Sequence, residues 1–202
     1  MRKKTDHKHL FPIINAMVDK AVEDVEEEGE KVSCQKGCDH CCHLLVEVAW
    51  EEAYELVEWV NDQDDVVKNE VLEKISKAAS EAKRVFSKRE DTKIFMEPLD
   101  DDIEIPDEVY DDYFYGKKRP CPFLLDGCCR AYEARPTACR LHLVTSDPDI
   151  CSAEVTDESE FDYPDRFEEL REECAPVISA IERKGVWGQL AVMVDSVVKE
   201  TE

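Results

Sequence analysis

The sequence predicts a mainly α-helical fold, a single domain over residues 1–202 with long irregular loops and room for a small β-hairpin. Three observations predict it. Apolar residues recur at three- and four-residue steps near both ends and in the middle of the chain. The cysteine- and proline-bearing stretches between those segments keep no such period. Finally, 202 residues with 43% hydrophobic and 37% charged side chains suffice for a buried core beneath a heavily solvated surface.

The first helix is expected over residues 10–31, where Leu10, Ile14, Met17, Val18, Ala21, Val22 and Val25 form one stripe. Pro12 falls in its first turn, where a missing N–H costs nothing, and Gly29 marks its end. Leu44–Val48 is a short apolar run for which strand and helix start are both open. A second helix is expected over Glu51–Val60, with Ala53, Leu56, Val57 and Val60 inward. A third should run from Asp65 to about Arg89 and bury Val67, Val71, Leu72, Ile75, Ala78, Ala79, Ala82 and Phe86, with Asp64 or Asp65 as its cap.

Residues 95–115 hold nine acidic side chains and no basic one, with Pro98 and Pro106, and read as an irregular exposed connection. Asp100, Asp101 and Asp102 there lack the spaced ligands and glycine of an EF-hand loop. Two C-terminal helices are expected over residues 165–200. One spans Arg166–Arg183 and is kinked or interrupted at Pro176; the other spans Val186–Lys199, with Gly185 between them.

The net charge of −23 leaves no broad basic face for phosphates, so it argues against nucleic acid and anionic membranes alike. No stretch approaches the roughly 18–20 apolar residues needed to cross a bilayer. The basic start Met1-Arg2-Lys3-Lys4 runs into Asp6, His7, Lys8 and His9 rather than an apolar secretory core. A cytoplasmic location is therefore expected, with a protein partner as the open class of interaction. In that reducing compartment ten cysteines point to metal ligation rather than to disulfides.

The cysteines concentrate in two blocks. The first is Cys34-Gln35-Lys36-Gly37-Cys38-Asp39-His40-Cys41-Cys42, four thiols in nine residues, a spacing that lets a loop wrap a small inorganic centre. Packing alone gives no reason to gather four thiols among polar residues. The adjacent thiols of Cys41 and Cys42 are expected to point apart, so three ligands from this block and at least one from elsewhere is the easier geometry. The second block carries Cys121, Cys128, Cys129, Cys139 and Cys151.

Around the second block the charge reverses. From Lys117 to Arg140 there are six basic and two acidic residues, with Arg130, Arg135 and Arg140 at five-residue intervals. Guanidinium groups there would stabilise a negatively charged thiolate centre. The plainer alternative is that they pair with the acidic surface.

Zinc is served by short ligand pairs such as Cys34/Cys38 and Cys38/Cys41. The Cys-x3-Cys-x2-Cys spacing is nearer to cluster-binding loops, and the second block lacks compact pairs, so an iron–sulfur cluster is the first expectation and zinc the alternative. The same spacing occurs in radical S-adenosylmethionine enzymes, but the helical flanks here do not suggest a β/α partial barrel. His40, His43 and His142 neighbour the thiols and are candidate substitute ligands; Cys174, on a helix, reads as a buried thiol.

At these residues the chain resembles the YkgJ-type cysteine-cluster family, the zinc- or iron-chelating CxxCxxCC domain. The resemblance rests on Cys34, Cys38, Cys41 and Cys42 followed by the segment carrying Glu52. It continues through Cys121-Pro122-Phe123-Leu124, Gly127, Cys129-Arg130-Ala131-Tyr132 and Arg135-Pro136-Thr137-Ala138-Cys139-Arg140 to Cys151.

It covers residues 34–151 as a cysteine-cluster core and implies Cys34, Cys38, Cys41, Cys42, Cys121, Cys129, Cys139 and Cys151 as ligands. Cys128 falls at a family position that need not be cysteine. Arg135 and Arg140 are expected beside the ligands rather than among them. Leu141-His142-Leu143 stands where the family often has an aromatic residue followed by proline. Flagellin lysine N-methylases resemble the family in this motif and are linked to an iron–sulfur centre; a 4Fe-4S cluster is the expected type for this chain, with zinc as the alternative. A redox role or one connected with protein modification follows as an expectation, with a zinc-stabilised interaction module as the alternative.

Overall fold

A computed structural model describes residues 10–86, 119–151, 164–182 and 185–201. Six α-helices dominate the described residues, with two small antiparallel strand pairs. Helix α1 is Leu10–Glu27; strand β1 (Glu47–Ala49) leads into α2 (Trp50–Asn61), and α3 is Asp65–Phe86. A hairpin of β2 (Leu124–Leu125) and β3 (Cys128–Cys129) precedes the short α4 (Thr137–Leu141). Helix α5 (Asp165–Ile181), strand β4 (Trp187–Gln189) and α6 (Leu190–Thr201) follow. The acidic 95–115 segment, with Asp100–Asp102, lies outside the described residues.

The helices form two packed groups. In one, α2, α3 and α6 bury Ala53, Leu56, Val57, Val60, Val71, Ile75, Met193, Val194 and Val197. In the other, α1 and α5 pack through Phe11, Ile14, Val18, Ala21 and Val25 against Phe167, Leu170, Cys174 and Ile181. The apolar stripes read from the sequence are therefore the buried faces. Asp64 caps α3, its Oδ1 accepting from the N–H groups of Val66 and Val67, both at 3.0 Å.

Two expectations near the C-terminus are corrected. Val186–Lys199 is not one helix: Trp187–Gln189 is a strand that pairs with β1 in the register Glu47↔Gln189, Val48↔Gly188, Ala49↔Trp187. Leu44–Val48 thereby resolves in part as strand. The pairing continues as Leu190 N–H to Val46 O and Trp50 N–H to Val186 O, each 2.9 Å, so α2 and α6 start side by side. Pro176 also does not interrupt α5, which runs unbroken to Ile181. Pro176 and Glu172, the residue whose carbonyl the proline leaves without a donor, are both exposed.

No helix among the described residues is long and apolar enough to cross a membrane.

A candidate metal centre between the two helical groups

The cysteine loop begins where α1 ends. It is tied to the second block by Ser33, whose N–H donates to Val144 O (2.9 Å) and whose hydroxyl donates to Thr145 O (3.3 Å). Gly37 has φ +100°, the left-handed turn that lets the loop reverse without a Cβ penalty. The loop then closes in a 3-10 turn, His40–His43.

The second block approaches from the other group. Cys121 N–H donates to Cys42 O at 2.8 Å, joining the two blocks through the backbone. Phe123, two residues on, is buried edge-on against Trp59 with ring centroids 6.0 Å apart, which anchors Cys121 to α2. Asp126 and Gly127, both at positive φ, make the tight turn of the β2–β3 hairpin, which sets Cys129 opposite Leu124.

Glu52 fixes the last part of the block. Its buried carboxylate accepts from Ala49 N–H (3.0 Å) at the start of α2 and from Thr137 N–H (2.6 Å) at the start of α4, the helix that carries Cys139. Sequence reasoning noted Glu52 only as a residue of the motif. The role was hidden because its partner lies 85 residues away.

The result is a cavity of about 530 Å³ into which seven thiols face: Cys34, Cys38, Cys41, Cys42, Cys121, Cys129 and Cys139. Cys151, the eighth expected ligand, is buried outside the cavity lining, in the turn Pro148–Cys151 that packs on the turn His40–His43. Cys128 is outside the cavity lining, and Cys174 sits in the α1–α5 core with its Sγ 3.9 Å from Met17 Sδ. Among the described residues no three His, Cys, Asp or Glu side chains gather closely enough for a single ion; the thiols ring a space instead of meeting at a point. A second cavity of about 310 Å³ backs onto the first through Val46, Cys121 and Leu190.

Cys41 and Cys42 were expected to point apart. Both line the same cavity. The adjacent thiol lowers that of Cys41 to about 7 and raises that of Cys42. Burial pushes Cys121 up to about 12, Cys151 up to about 11 and Cys139 well above the ordinary thiol value. A metal bound there must displace these protons, so binding releases protons and strengthens as pH rises.

The arginines divide. Arg119 and Arg130 pair with Glu81 (3.3 Å) and Glu70 (3.0 Å) on α3, as the plainer reading of the basic stretch had it. Arg135 lines the cavity, stacks 4.0 Å over the Tyr132 ring, and lies in electrostatic range of Cys34, Cys41 and Cys129. Its buried Nε has no hydrogen-bond partner, so a donor is left over beside the thiols, which suits an anionic centre.

Arg140 is only 2% exposed and turns away from the cavity. It donates to Arg135 O (2.7 Å), Glu133 O (2.6 Å) and Asn15 Oδ1, and so clasps the loop before α4 to α1. Of the histidines, His142 lines the cavity with an unpartnered Nε2, whereas His40 and His43 do not line it.

Different outcomes follow for the two arginines. Arg135→Gln should leave stability near wild type while reducing metal retention and, for an iron centre, lowering the reduction potential. Arg140→Gln should cost about 1–3 kcal/mol, because a buried guanidinium loses its three part-buried acceptors. Urea unfolding and metal analysis on both variants check this, with Arg135→Lys expected to recover part of the lost metal. A stability loss of similar size in both variants would remove the distinction.

A mainly helical scaffold whose loops bring thiols from two distant segments around one cavity defines a metal-binding cysteine-cluster protein. The chain belongs to the CxxCxxCC family, described as a putative zinc- or iron-chelating domain, whose model matches residues 33–175. The match extends past Cys151 into α5. No curated protein and no solved structure matches the chain.

Proposed function

We propose that the chain holds an iron–sulfur centre between its two helical groups and works in redox chemistry, by electron transfer or in support of protein modification. One observation carries the reading: seven thiols line one cavity of about 530 Å³. A polynuclear cluster needs thiolates spread around a body of several ångströms, and this donor set is almost purely sulfur. The unpartnered Arg135 Nε supports it, since such clusters are anionic and are tuned by nearby donors. When bound, the cluster would supply one-electron chemistry. The protein's part is to hold the thiolates, to place the Arg135 charge beside them and to limit water through Phe123, Leu56 and Leu143 in the cavity wall.

Anaerobic purification followed by iron, sulfide and zinc analysis tests this. A brown protein with matched iron and sulfide is expected; a colourless protein containing zinc alone would refute the cluster and leave the zinc-stabilised interaction module.

A further inference from the structure

We propose that the second cavity, of about 310 Å³, binds a small organic anion: a carboxylate or a phosphate monoester carried on an apolar body. The site goes beyond the metal-binding reading and stands on walls of its own.

Its floor is apolar and fixed before any ligand arrives. Leu44, Val46 and Leu190 line it, and Leu190 N–H donates to Val46 O at 2.9 Å, so the floor rests on the paired backbone where β1 and β4 meet. Cys121 closes one side between Pro120 and Pro122, its N–H held by Cys42 O at 2.8 Å. Val46, Cys121 and Leu190 also line the thiol cavity, so a ligand here lies against the wall of the metal centre. The volume falls at the small end of the range for small-molecule sites.

The rim carries the opposite sign to the chain as a whole. Lys74 and Lys77, three residues apart on α3, line the cavity together with Arg119. Arg119 is paired with Glu81 at 3.3 Å. Glu70, by contrast, is shared between Lys74 and Arg130, each at 3.0 Å. Lys77 is exposed and makes no ion pair among the described residues. One surplus positive charge at Glu70 and another at Lys77 therefore sit beside a concave apolar surface, in a chain of net charge −23. A neutral apolar molecule gains only the floor. An anion on the same body also gains the two lysines, whose field the low-dielectric walls concentrate.

The experiment is isothermal titration calorimetry on the anaerobically purified full chain, with metal content measured on the same sample. The probes are 2-naphthoate, 2-naphthyl phosphate, the neutral 2-naphthamide, and acetate, which has the charge without the body. At least one naphthyl anion should bind with a Kd below about 1 mM, and about tenfold tighter than the amide or acetate; the tighter of the two names the head group. Lys77→Gln should weaken that binding about three- to fivefold, whereas Lys68→Gln, the same charge change on α3 outside the cavity, should alter it by less than about 1.5-fold. Ala78→Phe, which fills the cavity from α3, should abolish binding in a chain that far-UV circular dichroism shows to be folded. The proposal is overturned if neither naphthyl anion binds, or if the amide binds as tightly. A Lys77→Gln effect no larger than that of Lys68→Gln overturns it too, as does a folded Ala78→Phe chain that still binds.

Discussion

Glu52→Ala is expected to destabilise the apo protein by about 2–4 kcal/mol and to lower its metal content, although Glu52 is not among the sulfur ligands. The carboxylate is only 3% exposed, and its two oxygens each accept one backbone N–H, from Ala49 and from Thr137. Truncation leaves both donors buried and unpaired, at about 1–3 kcal/mol each. It also releases the start of α4, and with it Cys139, from α2. Glu52→Gln keeps one good acceptor oxygen and turns an amide N–H₂ toward the other donor, so about half the loss is expected. Urea unfolding with thiols kept reduced measures the first effect, and iron or zinc per chain the second. A loss below about 0.5 kcal/mol for Glu52→Ala would show that water replaces the carboxylate and that the bridge does not hold the site together.

The contrast between Glu52 and the helices shows what the sequence could reveal. An amphipathic helix is encoded locally: the stripe from Leu10 to Val25, or from Val71 to Phe86, is visible because burial follows a period of 3.6 residues. That thiols from the two blocks would gather was legible as well, and seven of them line one cavity. Strand β4 was not legible. Val186–Leu190 is too short and apolar for its period to be read, and its partner β1 lies far away in the chain. The roles of Glu52 and Arg140 were hidden in the same way, because each depends on acceptors or donors brought close only by the fold. Pro176, expected to kink or interrupt its helix, does not end it. What failed in each case was non-local information.

Metal removal should loosen the two cysteine segments far more than the helices. Residues 34–43 contribute nothing to the buried apolar core, and 119–151 contribute mainly Phe123, Ala131, Leu143 and Val144. The helical groups have their own continuous cores, so thiolate–metal bonding is expected to add to the few backbone bonds and side chains that hold the loops. Amide hydrogen exchange with and without a chelator is the direct measurement. In the apo protein, protection in 34–43 and 119–151 should fall by at least about tenfold, roughly 1.4 kcal/mol in local opening free energy. Amides in α2, α3 and α6 should change little. Within the second block the effect should be graded. Cys121 keeps its backbone bond to Cys42 and the Phe123 anchor against Trp59, whereas the turn ending at Cys151 loses the metal and has less packing to fall back on. Exchange around Cys151 should therefore rise first as chelator is added, and exchange around Cys121 last. Equal protection in the metal-bound and apo forms would mean that packing and the backbone bonds already fix the loops, and that the metal is a guest in a preformed cavity.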